Sequence, residues 1–450
     1  MEHYEAKRIS LIQGHPNDQI PEKLALYAVV NPIDYCPVGC PHCMFSSRKK
    51  YIENTRLTIE QAEKAAQIFS EAGLKKLVIT GGGEPFENLE SIYILLSQTR
   101  TLKRVVFITS SYFAVSSEET AKYLDKIIEI LEEKRVSVVF RLSRDRNYSK
   151  TVPFKNVVNV INYLANKNLQ SRVIIRGLMS DNDNLYNEFV GFGYSLRTTM
   201  PYLIDGLNVV WYKDTNGVEI PVILKPDYFT GRNKTQNKTG LQSTSVWDVI
   251  DIESNAGTPL NLSRRGEYGE GHDYYENILN GYDYCHNLIV DGQFNQDKSK
   301  VQKAIALYLS ADGRLSINAG VPDNHFALSN VTSWEDFLRQ TFSDPLQWLL
   351  YTKGPLYIFD NLPASKQLIY DKITDSNFVF SVSLYCLLLS ELRYYFTLLA
   401  LRLQGKVSDN TVANEEMMVV ASVGLKQIDR IYDRTKKQDP IRGGLGSILD

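Results

Sequence analysis

The sequence predicts an α/β fold built on a parallel sheet, and three observations support this prediction. Short apolar runs rich in β-branched residues alternate with segments of helical periodicity through the first half of the chain. Strands that alternate with helices at this pace build βαβ units. A cysteine-rich and a glycine-rich motif follow the first two predicted strands, at the sheet edge where parallel α/β folds bind ligands.

The elements follow one another at an even pace. An apolar, β-branched run forms the first strand, and the next segment has helical spacing with Thr58 as its N-cap. The long amphipathic helix of the third unit is introduced by Ser116. The predicted strands are residues 26–33, 76–80, 105–109, 136–142, 173–178 and 207–212, and the predicted helices are residues 58–71, 88–99, 117–133, 157–167 and 185–192.

Beyond residue 212 the rhythm of the sequence changes. Hairpin turns are predicted at residues 214–217 and 311–313, and a polar loop rich in Asn, Thr and Lys at residues 231–245. Helical patterns return at residues 334–342, 364–371, 377–403 and 411–435. The predicted organisation is an N-terminal extension (1–25), an α/β domain (26–212), a β-rich connector (213–330) and a helical C-terminal region (331–450).

Charge and hydropathy argue against nucleic-acid and membrane partners. The chain has 450 residues and a formal net charge of −2, so no global basic field attracts either one. The first residues lack the apolar segment of a secretory signal. Charged residues at 391, 393 and 402 interrupt the most apolar stretch, 378–403, which we interpret as a buried helix. We expect a cytoplasmic protein.

Three of the five cysteines lie in one loop after the first predicted strand, as Cys36, Cys40 and Cys43. An odd, sparse count excludes a disulfide framework, and the CxxxCxxC spacing indicates a metal site in a reducing compartment. Soft thiolates hold iron, and three of them leave one iron of a cubane cluster open to a chelating co-substrate. The alternative is structural zinc, with His42 in the loop as the fourth ligand, although paired distant ligands are absent from the sequence.

The second motif is a glycine run at the end of the second predicted strand, where Gly82, Gly83 and Glu84 precede a proline. Glycine lets the backbone approach a ligand closely, and a carboxylate can receive an ammonium group. A glycine-rich strand end is often only a turn. Its position beside the cysteine loop favours a shared ligand site.

Together the two motifs resemble those of the radical S-adenosylmethionine (SAM) superfamily, including the aromatic-type residue, His42, before the last cysteine. The resemblance covers residues 26–212 and implies a partial (β/α)6 TIM-like barrel in which the three cysteines hold one [4Fe-4S] cluster. SAM would chelate the open iron, with Gly82, Gly83 and Glu84 near its amine. By their place in the barrel, Ser143 is expected at the SAM ribose and Arg176 at the SAM carboxylate; both are alternatively ordinary polar residues of the barrel rim.

The C-terminal half resembles a cysteine-poor remnant of the SPASM or twitch extension of peptide-modifying radical SAM enzymes. Only Cys285 and Cys386 remain there, too few for a conventional second cluster. The late lone cysteine resembles that of radical SAM epimerases that install D-residues in ribosomal (RiPP) peptides of the proteusin type. The resemblance implies that Cys386 donates a hydrogen atom, with Cys285 as the second candidate; the alternative for Cys386 is an apolar residue of a buried helix.

The resemblance also implies partners and competing reactions. A precursor peptide is the expected substrate, and flavodoxin or ferredoxin the expected kind of electron donor. Peptide cross-linking or oxidation is the alternative within radical SAM chemistry. A non-catalytic metal-binding module is the alternative from another class.

Overall fold

The computed structural model describes much of the α/β domain and parts of the C-terminal half. The described residues are 2–18, 20, 25–39, 55–80, 82–144, 151–169, 172–178, 182–196, 202–204, 207–215, 217, 219–225, 305–317, 324–362, 387 and 389–423.

Twelve strands and ten α-helices are named in the described residues. The strands are β1 (Ala25–Val30), β2 (Lys76–Ile79), β3 (Arg104–Thr109), β4 (Ser137–Ser143), β5 (Val173–Leu178), β6 (Ser195–Leu196), β7 (Tyr202–Ile204), β8 (Leu207–Lys213), β9 (Glu219–Lys225), β10 (Ile305–Leu309), β11 (Arg314–Ile317) and β12 (Phe326–Ala327). The helices are α1 (Glu2–Gly14), α2 (Ile59–Glu71), α3 (Leu89–Gln98), α4 (Ser117–Glu133), α5 (Phe154–Asn166), α6 (Asn182–Gly191), α7 (Trp334–Phe342), α8 (Pro345–Asp360), α9 (Ser390–Leu403) and α10 (Asp409–Val423).

All twelve strands belong to one sheet, whose centre is parallel. The order β10-β1-β2-β3-β4-β5-β9 is parallel throughout, and antiparallel strands extend it at both ends. Among the described residues the sheet is open and does not close into a barrel. The predicted α/β class with a parallel sheet is confirmed.

The two faces of the parallel strands differ in chemistry. Side chains alternate along a strand, so one face carries apolar residues such as Leu77 and Phe107, both fully buried. Phe107 contacts Phe86, just before α3, which identifies this side as the helix-facing side. The opposite side, which we call the inner face, carries Arg141 and Ser143, which are two residues apart on β4 and therefore point to the same side. The helices therefore shield the apolar side, while polar residues collect on the other.

The place of the sixth parallel strand differs from the prediction. The segment 207–212 was expected to continue the parallel series, but β8 pairs antiparallel with β9, and β9 takes the parallel position beside β5. The hairpin predicted at residues 214–217 is confirmed, with Gly217 in the left-handed region at φ 87°. Both hairpin strands are apolar and of equal length, so the pattern alone does not say which one meets β5.

The hairpin predicted near residue 312 is also confirmed, and it extends the sheet on the other side. Strand β10 pairs parallel with β1, and β11 pairs antiparallel with β10. Its turn lies against the start of α2, where Gln61 donates from Nε2 to the Asp312 carbonyl at 3.3 Å. This hairpin of the predicted connector thus belongs to the same sheet as β1, the strand that precedes the cysteine loop.

The C-terminal helices pack with the N-terminal helix. Arg8 of α1 is buried and forms an ion pair with Asp344 and a hydrogen bond to Thr397 Oγ1 at 3.3 Å. Lys7 of α1 pairs with Glu415 of α10 at 3.2 Å. Residues 2–14 therefore belong structurally with the helical region. None of the described helices is long and apolar enough to cross a membrane.

Candidate functional site

The loop that carries the first cysteine leaves β1 at the carboxyl edge of the sheet. Its backbone is fixed on two sides, because the Asn31 N–H donates to Leu309 O of β10 and the Asp34 N–H donates to Thr55 O, both at 2.8 Å. Cys36 follows and is half-buried. Cys40, His42 and Cys43 lie outside the described residues.

A buried asparagine fixes the start of this loop by hydrogen bonds. Asn88, at the N-cap of α3, donates from Nδ2 to the carbonyls of Pro32 and Leu57, each at 2.9 Å. Because Asn88 is buried, neither bond competes with water. The asparagine therefore ties the cysteine loop to the chain segment that leads into α2.

The glycine motif lies directly against the cysteine loop. A Cβ on Gly83 would come within 3.0 Å of the backbone carbonyls of Ile33 and Tyr35, and a Cβ on Gly82 would lie 2.6 Å from Asp34 Oδ1. The Glu84 N–H donates to Tyr35 O at 2.9 Å. The structure thus brings the two predicted motifs together; Gly81 lies outside the described residues.

Glu84 turns its carboxylate away from the cysteine loop, toward the end of β3. Oε1 accepts from Thr109 Oγ1 at 2.5 Å, and Oε2 accepts from Ser110 Oγ at 2.5 Å and from the Ser110 N–H at 3.0 Å. The side chain is only 2% exposed. Burial raises the pKa of Glu84, and the hydrogen bonds from Ser110 and Thr109 partly oppose that rise. The expected contact of Glu84 with the SAM amine stays a prediction.

Further titratable groups surround the loop. The pKa of Tyr35 is raised by burial first and then by interaction with Glu87, Tyr112 and Cys36. Burial likewise raises the pKa of Glu87. The neighbourhood of Cys36 therefore includes a half-buried carboxylate that the sequence pattern did not single out.

The turn after β3 contains the one buried non-glycine residue with positive φ among the described residues. Ser111 has φ 64°, is 0% exposed, and its Oγ has no hydrogen-bond partner in the described part of the chain. Asn156 of α5 donates from Nδ2 to the carbonyls of Ser111 and Tyr112 at 3.2 Å. The neighbouring elements hold this turn in a conformation that a serine rarely adopts.

Two further predicted residues are brought together on the inner face. Ser143 of β4 and Arg176 of β5 are paired in register, so their side chains lie beside each other on adjacent strands. Arg141, two residues before Ser143, lies on the same face. Both arginines are buried. A hydroxyl and two guanidinium groups thus line the inner face near the carboxyl ends of β4 and β5.

The remaining predicted residues are not placed by the structure. Cys285 and Cys386 lie outside the described residues. Conversely, the sequence patterns did not single out four other residues at this edge of the sheet, namely Asn88, Thr109, Ser110 and Ser111. The one available signal was the run Thr109-Ser110-Ser111 directly after an apolar strand, the position at which parallel sheets place ligand-binding groups.

Comparison with known proteins identifies the α/β part of the chain. The family model described as Radical SAM superfamily matches residues 30–185. Residues 30–185 are a radical SAM domain. The cofactors of this domain type are a [4Fe-4S] cluster and SAM, as the cysteine and glycine motifs predict. No curated protein matches the chain.

Two solved structures are similar to this chain at low identity. One is described as hexahistidine-tagged anSMEcpe with bound AdoMet, with 11% identity, coverage of 34% of this chain and 50% of that chain, and a TM-score of 0.21. The chain thus spans half the length of that structure. The other is HydG, a maturase of the [FeFe]-hydrogenase, with 12% identity, coverage of 91% and 87%, and a TM-score of 0.29.

The described part of the radical SAM domain fits the cluster. A half-buried cysteine lies at the carboxyl edge of the sheet, and Gly83 leaves room for its loop backbone where a Cβ would not fit. Thiolates are the ligands that iron–sulfur clusters require. Cys36, with Cys40 and Cys43 of the same loop, would hold the cluster, which when reduced supplies the electron for cleavage of SAM.

Proposed function

We propose that this chain is a radical SAM enzyme that inverts α-carbons of a ribosomally made precursor peptide, from L to D. The observation that carries this proposal is the division of the five cysteines, with three in one cluster loop and two, Cys285 and Cys386, left over. A thiol has an S–H bond weak enough to give a hydrogen atom to a carbon radical. An epimerase needs such a donor and needs no second cluster.

The proposed reaction balances with one external electron donor. The 5′-deoxyadenosyl radical takes the α-hydrogen from one face of the residue and becomes 5′-deoxyadenosine. The Cys386 thiol returns a hydrogen atom to the opposite face, and the resulting thiyl radical is reduced by one electron and one proton. A flavodoxin or ferredoxin is the proposed source of the electrons.

The proposed roles of the other residues follow from their positions. The Gly82–Glu84 segment, in contact with the cysteine loop, is proposed to receive the SAM amine. Ser143 and Arg176, neighbours on the inner face, are proposed to bind the ribose and the carboxylate of SAM. Orientation of SAM and exclusion of water are the contributions of the protein, since the cofactors carry the difficult chemistry.

Cys386 directly precedes a buried apolar residue in the sequence. Leu387, the next residue, is fully buried, and α9 begins three residues later at Ser390.

Turnover in deuterated water tests the reaction type. The reconstituted enzyme, SAM, a reductant and the encoded precursor peptide are combined under anaerobic conditions, and the product is analysed by mass spectrometry and chiral amino-acid analysis. We expect one deuterium at each inverted α-carbon, from the exchangeable thiol, and no other change of mass. A product lighter by two hydrogens would instead indicate cross-linking.

The donor is tested by replacing each spare cysteine in turn. Cys386→Ala should still cleave SAM but give no D-residue, whereas Cys285→Ala, the matched control, should epimerise normally. The reverse pattern would assign the donor role to Cys285. Normal epimerisation by both variants would contradict a cysteine donor.

A further inference from the structure

Glu84 lies at a junction of three segments that form the carboxyl edge of the sheet. It follows β2, its backbone is bonded to the cysteine loop, and its side chain is bonded to the turn after β3. These segments are well separated in sequence: Tyr35 precedes Glu84 by 49 residues, and Ser110 follows it by 26.

The carboxylate of Glu84 contacts the last residue of β3 and the residue after it. Its partner Thr109 alternates with Ile108 and therefore shares the side of Phe107, which packs against Phe86. The proposed SAM contacts Ser143 and Arg176 share the opposite, inner face. Thr109, one of the two partners of the carboxylate, and these residues thus lie on different faces of the sheet.

Both oxygens of the carboxylate already accept hydrogen bonds. Thr109 donates to one oxygen and Ser110 donates twice to the other, through its N–H and its hydroxyl. Charge-assisted bonds of this kind are shorter and stronger than neutral ones. With 2% of Glu84 exposed, the three donors take the place of the water that the carboxylate has lost.

The backbone of Glu84 contacts the cysteine loop. Its N–H donates to the carbonyl of Tyr35, the residue before Cys36. The adjacent Gly83 allows the loop to approach so closely that any side chain at this position would collide with Tyr35 O. A shift of Glu84 is therefore transmitted directly to the residue before the first cysteine.

We propose that Glu84 is a positioning residue: its carboxylate anchors the glycine segment to Thr109 and Ser110 at the end of β3, and this anchor sets the position of the Cys36 loop. Glu84 then supports SAM binding through the backbone of the glycine segment, while its carboxylate touches no part of SAM. This inference rests on the proposed radical SAM function. Thr109 and Ser110, two of the four residues that the sequence patterns did not single out, thereby have a defined part in the site.

A double-mutant cycle tests the anchor. The variants are Glu84→Gln, Ser110→Ala and the combination of both, each in the full chain after anaerobic reconstitution. The first readout is the SAM dissociation constant, and the second is the change that SAM causes in the electron paramagnetic resonance (EPR) spectrum of the reduced cluster. The second readout reports the geometry at the cluster independently of turnover.

If Glu84 and Ser110 form one anchor, the effects of the two substitutions on SAM binding should be strongly coupled. We expect Glu84→Gln and Ser110→Ala each to weaken SAM binding by about tenfold, and the combination to weaken it no further, because residues of one hydrogen-bond network are not additive. Both should alter the EPR change caused by SAM in the same way. Ser110→Thr, which keeps the hydroxyl, should restore wild-type values. If Glu84→Gln abolishes SAM binding while Ser110→Ala has no effect, Glu84 contacts SAM directly and the inference is wrong.

Two controls separate the possible failures. Ser333→Ala removes the N-cap of α7, where Ser333 Oγ accepts from the Asp336 N–H at 3.1 Å, and should lower stability without changing either readout. A change of both readouts in this control would show that any loss of stability has the same effect, and would contradict a specific anchor. If the wild-type chain takes up no cluster, the proposed function fails; if it binds the cluster and SAM but the cycle is additive, only this inference fails.

Discussion

At the carboxyl ends of the parallel strands buried polar side chains hold the loops, whereas at the amino ends a half-buried lysine, Lys134, holds a connection. Asn88 and Glu84, both buried, tie the loops after β1 and β2 to neighbouring segments. On the opposite edge, half-buried Lys134 follows α4 and donates to the carbonyls of Leu96 and Thr99 at 2.6 and 2.8 Å. Lys134 is thus more accessible to water than Asn88 or Glu84.

The non-glycine residues with positive φ at the two edges also differ in burial. Arg135 and Asn168, with φ 54° and 58°, follow α4 and α5 and are exposed, as is usual where helices end. Ser111, with φ 64°, follows a strand and is buried. A strained residue held in place by its surroundings is typical of functional sites. The carboxyl edge is thus built for a fixed geometry, and the amino edge only for connection.

Replacement of Gly83 by alanine should have the largest effect. The new Cβ would collide with the carbonyls of Ile33 and Tyr35, so the cysteine loop has to move and near-complete loss of cluster binding is expected. Gly193→Ala is the control, because its Cβ would meet nothing within 4 Å although φ is +84°. It should cost about 1–2 kcal/mol and leave cluster binding intact. Iron and sulfide content per chain measures cluster binding in both variants. Normal iron content in Gly83→Ala would contradict the close contact.

Removal of a brace should cost more at the carboxyl edge than at the amino edge. Asn88→Ala leaves buried carbonyl groups with fewer donors, and we expect a loss of about 2 kcal/mol in the free energy of unfolding. Lys134→Met removes three bonds that a half-buried side chain donates to helix-end carbonyls, with an expected loss below about 1 kcal/mol. Denaturant unfolding measures both values. Equal losses would remove the distinction between the edges.

Relief of strain should raise stability at both edges but alter function at only one. Ser111→Gly and Arg135→Gly should each gain about 1 kcal/mol, because glycine adopts positive φ without a steric penalty. Only Ser111→Gly is expected to slow SAM cleavage, by a few-fold, since its turn adjoins Glu84. Ser111→Ala keeps the strain and should gain less than Ser111→Gly. Unchanged SAM cleavage in Ser111→Gly would show that the strain is not functional.

The smallest expected effect is a difference in pH dependence between a buried and an exposed glutamate. Burial raises the pKa of Glu84 above 4.5, so its contribution to stability is fully present below pH 4.5 and is lost as the pH rises through the folded-state value. Hydrogen bonds from its own N–H and from Thr58 lower the pKa of Glu60, whose contribution is present above pH 4.5 and lost as the pH falls through its lower value.

Glutamine variants measure these two contributions. The difference in unfolding free energy between wild type and Glu84→Gln should fall as the pH rises, while the difference for Glu60→Gln should rise with pH. Slopes of the same sign in both variants would contradict the assignment of Glu84 to a buried site.

Local patterns predicted the elements of the α/β domain closely. The helix of residues 117–133 and the strand of residues 173–178 have the predicted bounds, and Thr58 caps α2 through a capping box with Gln61. These features depend on residues within a few positions of one another, which the sequence displays directly. The helix Pro345–Asp360 was missed because it contains Gly354 and Pro355, residues that ordinarily end a helix.

Features that depend on distant contacts were not predictable. The choice of β9 over β8 as the partner of β5 is decided by tertiary pairing. The site was predicted as two motifs, Cys36 to Cys43 and Gly82 to Glu84, and their contact was inferred from strand order. The bonds from Thr109 and Ser110 to Glu84 cross 25 and 26 residues and involve common residue types, so no spacing rule identifies them.

Formation of 5′-deoxyadenosine is the measurement that tests the radical SAM assignment most directly. The wild-type chain and Cys36→Ala are reconstituted with iron and sulfide under anaerobic conditions and incubated with SAM and a strong reductant. We expect the wild type to bind about four iron atoms per chain, as one [4Fe-4S] cluster requires, and to release 5′-deoxyadenosine. Cys36→Ala should do neither. Release of no nucleoside by the iron-loaded wild type, or equal release by both, would contradict the assignment.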